Sequence, residues 1–170
     1  MVVIHIAGTT GSGKSWTGDL MKRIYPDSRL HVIDLDAIFK EAIKKSIGIK
    51  AADAKFQSIQ KHVQTYIAHE RARHKNLLIT GYSDVLIDGK IRYVELDADY
   101  KFFIELPVDQ LIQQYRNRAS HYIRLTSDEV HTLSDAAIRK MVQDDRRIYK
   151  SFRRMPQLRI IKEIIIHIGK

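Results

Sequence analysis

Gly8-Thr9-Thr10-Gly11-Ser12-Gly13-Lys14-Ser15 places a lysine and a hydroxyl directly behind a loop of three glycines and three small polar residues. The glycines permit backbone angles barred to other residues, so the N–H groups of the loop can turn inward around a β-phosphate. Lys14 has the reach for β- and γ-phosphates, and the Ser15 hydroxyl is the hard oxygen ligand that magnesium prefers. A second acidic constellation follows. Val32-Ile33-Asp34-Leu35-Asp36 ends an apolar run on two carboxylates, which alternation along a strand would put on one side. A phosphoryl acceptor hydroxyl needs one carboxylate to take its proton and orient it, here Asp36, and a second, Asp34, can serve the metal side. The competing reading for either aspartate is that it merely caps the following helix.

The elements that must hold these groups are legible in the patterning. Val2–Ala7 is a β-branched run ended by Gly8, which suits a buried strand of a parallel sheet. Lys14–Tyr25 reads as a helix stopped by Pro26, whose amino terminus adds a positive dipole end at the loop. Leu30–Leu35 is a second strand, and 36–47 and 53–74 are two helices. The longer of these carries Phe56, Ile59, Val63, Tyr66 and Ile67 as one stripe, with Asp53 placed to cap it. Leu77–Thr80 is a third strand. Asp88-Gly89 is a turn signal between Val85–Ile87 and Ile91–Leu96, so a small hairpin or an irregular excursion is expected there. Lys101–Leu106 is a fourth strand, 109–119 a helix, and Thr126–Glu129 has capping-box spacing. Ser134 could cap a helix to about Tyr149, and Ile164–Ile168 is expected as the fifth strand. Strands alternating with helices predict an α/β domain over residues 1–170, with a five-stranded parallel sheet and helices on both faces.

The loop GTTGSGKS together with VIDLDAIFK resembles the small P-loop kinases of the nucleoside, nucleotide and dephospho-coenzyme A kinase superfamily. Val32-Ile-Asp-x-Asp36 is similar to the second strand of dephospho-coenzyme A kinases. Asp36-Ala-Ile-Phe-Lys40 is similar to a segment of nicotinamide riboside and uridine kinases. Both alignments put the catalytic base at Asp36. Asn76–Tyr82 and Lys101–Pro107 resemble the third and fourth strands more loosely. The resemblance implies a short lid at about 116–128, with Arg116, Arg118 and Arg124 closing over ATP and neutralising charge on the transferred group. One departure stands at the third strand. Thr80 occupies a place that nicotinamide riboside and uridine kinases give to an acidic residue, which leaves magnesium to Ser15 and Asp34, or to Asp84.

Composition bounds the alternatives. In 170 residues, 44% hydrophobic and 29% charged, an ordinary globular protein is expected, and the absence of cysteine excludes disulfide frameworks and thiolate chemistry. No apolar run is long enough for a membrane span, and Val2–Ala7 lacks the basic flank of a signal peptide, so a soluble cytoplasmic protein is expected. The net charge is +9, and residues 139–163 hold nine basic against three acidic side chains. Such a field suits an anionic partner. A polynucleotide 5′-hydroxyl kinase, gripping a phosphate backbone through that block, is therefore one alternative; a non-catalytic ATP-binding module is another. Histidine spacing argues against zinc, because His69 and His74 are one residue too far apart to share a helix face as zinc-protease ligands do. The expectation is thus an enzyme moving the ATP γ-phosphoryl group, with Mg²⁺, to a hydroxyl or phosphate of a small molecule, a nucleoside, nucleotide or related metabolite. Acceptor identity, ATP against GTP, and oligomeric state stay open.

Overall fold

The computed structural model describes residues 2–8, 11–26, 29–117, 134, 136–137, 139–140, 142–143 and 158–161. Its elements run β1 (Val2–Gly8), α1 (Lys14–Ile24), β2 (Leu30–Asp34), α2 (Leu35–Lys45), α3 (Ala52–Arg73), β3 (Asn76–Thr80), β4 (Asp84–Ile87), β5 (Lys90–Tyr93), β6 (Tyr100–Ile104), α4 (Val108–Asn117) and β7 (Leu158–Ile161). The main sheet has the strand order β2-β3-β1-β6-β7. The chain divides into two compact units, one of residues 1–7 and 14–102, the other of 8–13 and 103–170.

In the first unit β2 and β1 flank β3, both parallel to it, with Ile6, Thr80 and Asp34 level across the three strands. Nearly continuous apolar runs are what a sheet covered on both faces requires. Val3, Ile33, Leu77 and Ile79 face one way and join Leu35, Ile38, Phe39, Ala42, Ile59, Val63 and Ile67 in one core. On the other face Gly18 of α1 lies so close that a Cβ there would stand 3.0 Å from Val32 Cγ1 and 3.3 Å from Thr80 Cγ2. The stripe expected on α3 is observed, and its next position, Glu70, is buried with it.

The segment after β3 is a hairpin, as the Asp-Gly signal predicts. Asp88 and Gly89 both take positive φ (49° and 74°), the requirement of the tight turn whose twist matches paired strands. Arg92 of β5 ties the hairpin to α3 through Asp53 at 2.6 Å and lies over the Phe56 ring. Asp53 therefore does not cap α3. The cap position is Ala51, which has no side-chain acceptor. In the second unit Phe103, Ile104, Leu106, Leu111, Ile112 and Val142 are buried, and Ser134 Oγ accepts from Ala137 N at 3.2 Å, the bond expected of a helix cap.

The expectation of five parallel strands is met only in part. Parallel registers are described for β2, β3 and β1, and a strand that the sequence patterning did not mark, β7, is described at Leu158–Ile161. Ile164–Ile168 and the capping box at Thr126–Glu129 lie outside the described residues, as does most of the basic block. Of that block, Arg139 is engaged by Asp109 at 2.7 Å. No helix among the described residues is long and apolar enough to cross a membrane.

Candidate active site

Strand direction and register bring the carboxyl ends of β1, β2 and β3 to one edge of the sheet. This is the edge where ligands bind in open α/β sheets. The backbone turns differently at β2 than strand alternation predicts. α2 begins at Leu35, which is fully buried, so the strand ends at Asp34 and Asp36 stands in the first helical turn. Asp34 is the helix cap: its carboxylate accepts from Asp36 N at 3.0 Å. The capping role thus belongs to Asp34, and Asp36 keeps its carboxylate for other work.

Asp36 lines a cleft of about 330 Å³ together with Phe39, Lys40 and Ile43 of α2 and Tyr82, Val85 and Leu86 beyond β3. Enclosure in this wall pushes its carboxyl above the usual aspartate range, and the charge of Asp34 adds to the shift. Lys14 and Lys40 pull in the opposite direction. A carboxylate held between these influences suits a proton acceptor. Lys14 Nζ lies 5.1 Å from the centroid of the Tyr82 ring, a cation–π arrangement that places the loop lysine at one wall of the cleft. Gly81 makes the close approach possible. Its φ is 119°, and a Cβ on it would meet Leu35 Cβ at 3.0 Å and Asp36 Oδ1 at 3.3 Å.

The glycine loop itself belongs to the second unit. Gly11 and Gly13 take φ of 86° and 89°, and a Cβ at Gly8 would meet Ser12 Oγ at 2.5 Å and the Ile104 carbonyl at 2.8 Å. Ser12 Oγ is buried with no hydrogen-bond partner among the described residues. An orphaned hydroxyl in a loop of left-handed glycines fits a phosphate, whose oxygens would supply the missing partner. Ser15 and Asp34 offer oxygen donors suited to magnesium. Ser15 is exposed at the start of α1. Thr80 cannot stand in for the missing acid, since it is buried and its hydroxyl donates to the Ile33 carbonyl at 3.3 Å.

Thr9, Thr10, Arg118 and Arg124 lie outside the described residues, and Arg116 is placed only by its backbone in the last turn of α4. One wall of the cleft is α2, where Asp36, Phe39, Lys40 and Ile43 recur at helical spacing on one face; the other comes from the segment beyond β3.

No protein-family model matches the sequence, and no curated protein is detectably similar to it. Solved structures are similar in fold. A shikimate kinase from Bacteroides thetaiotaomicron matches with a TM-score of 0.58 at 16% identity, over 95% of this chain and 86% of that one. The shikimate kinase of Acinetobacter baumannii, in complex with shikimate, matches with a TM-score of 0.52 at 15% identity, over 97% and 85%. An uncharacterized protein from Eubacterium ventriosum matches with a TM-score of 0.54 at 13% identity, over 95% and 89%. The chain therefore shares its fold with these shikimate kinases.

Proposed function

We propose that this protein is an ATP- and Mg²⁺-dependent phosphotransferase that moves the γ-phosphoryl group to a hydroxyl or phosphate of a small molecule seated in the cleft of Asp36 and Tyr82. The observation that carries the reading is the convergence at Tyr82: the loop lysine stands over its ring, and the ring lines the same cleft as the Asp36 carboxylate. Residues 1–170 act in this reading as one kinase domain, with a lid at about 116–128.

Catalysis would be mostly positioning and charge stabilisation. Asp36 accepts the proton of the acceptor hydroxyl and orients its oxygen. Asp34, by capping α2, holds the backbone of Asp36 in place. Gly8, Thr9, Thr10, Gly11, Ser12 and Gly13 cradle phosphate oxygens, and Lys14 supplies a point charge to the transferred group. Arg116, Arg118 and Arg124 serve as lid cations. Magnesium, held by Ser15 with Asp34 toward its water shell, would neutralise phosphate charge when bound. The cleft wall combines Phe39, Ile43, Val85 and Leu86 with Asp36, Lys40 and Tyr82, a lining suited to an acceptor with an apolar or ring-shaped body beside its polar groups, as in a nucleoside, nucleotide or related metabolite.

The test is γ-phosphoryl transfer from ATP and Mg²⁺ to nucleosides, nucleoside monophosphates, nicotinamide riboside, dephospho-coenzyme A, shikimate and a 5′-hydroxyl oligonucleotide, with Asp36→Asn beside the wild type. Shikimate belongs on the panel because two structural neighbours are shikimate kinases. Transfer to one small acceptor, lost in Asp36→Asn, supports the reading. Labelling of the oligonucleotide alone replaces it with a polynucleotide kinase. ATP binding with no transfer to any acceptor withdraws it.

A further inference from the structure

Three side chains that do not line the cleft converge in a way the proposed reaction does not use. His31 Nε2 lies 3.0 Å and His74 Nε2 3.2 Å from the same atom, Oε2 of Glu70. The two imidazoles stack with centroids 4.0 Å apart and planes within 5°. One ligand atom from each of the three residues lies within 4.8 Å of the other two. Glu70 extends the buried stripe of α3, so its side chain is only 9% exposed, while the two histidines are about one-third exposed. Its other oxygen is turned away, toward His69 Nδ1 at 3.2 Å and Arg73 at 3.9 Å.

We propose that His31, Glu70 and His74 form a transition-metal site, with zinc its best occupant, that clips the start of β2 to the carboxyl-terminal end of α3. Two imidazole nitrogens and one carboxylate oxygen are a set that binds zinc, with water as the fourth ligand. Ligand atoms about 2.0–2.1 Å from a tetrahedral zinc stand about 3.3 Å apart, close to both histidine–glutamate edges already present. The third edge, between the two histidines, is no longer than 4.8 Å. The exposed side of the histidines admits the metal and its water. Placing a carboxylate on the apolar stripe of a helix is costly without strong partners, and a bound cation would supply one. Magnesium prefers oxygen donors in octahedral geometry, so the ion that accompanies ATP does not compete here. His31 and Asp34 are three residues apart on β2, about 10 Å, which keeps the clip away from the proposed reaction.

The inference is independent of the kinase reading and is tested without turnover. Untagged full-length protein, stripped with a chelator, is titrated with zinc chloride by calorimetry and thermal melting. Cobalt(II) is then substituted, and the visible spectrum reports coordination. One equivalent bound with a Kd of about 1 μM or below, a raised Tm, and the intense bands of four-coordinate cobalt are expected. His31→Gln and His74→Gln, with far-UV dichroism unchanged, should each weaken zinc at least tenfold and abolish the rise in Tm. His62→Gln should change neither. Absence of zinc binding in the wild type overturns the proposal, as does equal binding by the His31→Gln/His74→Gln double variant. A fall in metal-free Tm in the two variants with no zinc response in the wild type would make the cluster an ion-pair anchor only.

Discussion

His5 Nε2 donates a hydrogen bond to the carbonyl of Gly81 at 2.9 Å, joining the middle of β1 to the residue that carries the chain from β3 into the cleft. Gly81 N in turn donates to the Ile6 carbonyl at 3.1 Å. The backbone behind Asp36 is thereby held from two directions. His5 is 1% exposed, and burial pushes its pKa down to about 4 from 6.5, although the Gly81 bond opposes the shift.

That shift predicts a pH dependence of stability. The unfolded chain binds a proton at His5 below about pH 6.5 and the folded chain only below about 4. The contribution of neutral His5 is thus fully present above pH 6.5 and is lost as pH falls toward 4, at about 3 kcal/mol in total. Denaturant melts at pH 7, 6, 5 and 4 should show this loss, and His5→Gln should flatten it across the same window.

Gly81 is the residue whose replacement should harm the site most for the least change in size. With φ of 119° and Asp36 Oδ1 3.3 Å from where a Cβ would stand, Gly81→Ala introduces backbone strain and displaces the carboxylate. Destabilisation of about 1–3 kcal/mol is expected. Turnover should fall more than tenfold in protein that remains folded by dichroism.

Asp36→Asn should separate stability from activity. The raised pKa means that the folded state resists ionisation of this carboxyl, so stability is highest with the proton on and declines as pH rises through the shifted pKa. The neutral amide removes that cost, and Tm at pH 7 should rise while phosphoryl transfer drops by at least a hundredfold. In the wild type the acidic limb of kcat/KM should lie above the range of an ordinary aspartate.

Leu86 lines the cleft yet is 68% exposed. An exposed side chain contributes little to folding, so Leu86→Ser should leave Tm within about 1 °C. If the acceptor lies against this wall, its KM should rise severalfold with kcat little changed, which is the pattern of lost uniform binding. An unchanged KM would place the acceptor elsewhere.

The local features were legible because they rest on short-range rules. The glycine loop, the hairpin turn at Asp88-Gly89, the α3 stripe and the cap at Ser134 each depend on residues within a few positions of one another. The two aspartates were also found from spacing, but their division of labour was not. Alternation would have made them equivalent, and only the early start of α2 at Leu35 turned Asp34 into a cap and left Asp36 in the cleft.

Sequence alone determined that a glycine loop precedes a helix, that a carboxylate ends the second strand, and that strands and helices alternate, since backbone conformation and periodicity are properties of neighbouring residues. Tertiary structure decided which distant side chains meet. His5 reaches Gly81 across 76 positions because β1 and β3 run parallel in register, and His31 meets Glu70 and His74 because β2 pairs with the strand that follows α3. Such encounters depend on how buried apolar faces pack. Packing is decided by the whole core at once, not by any run of sequence.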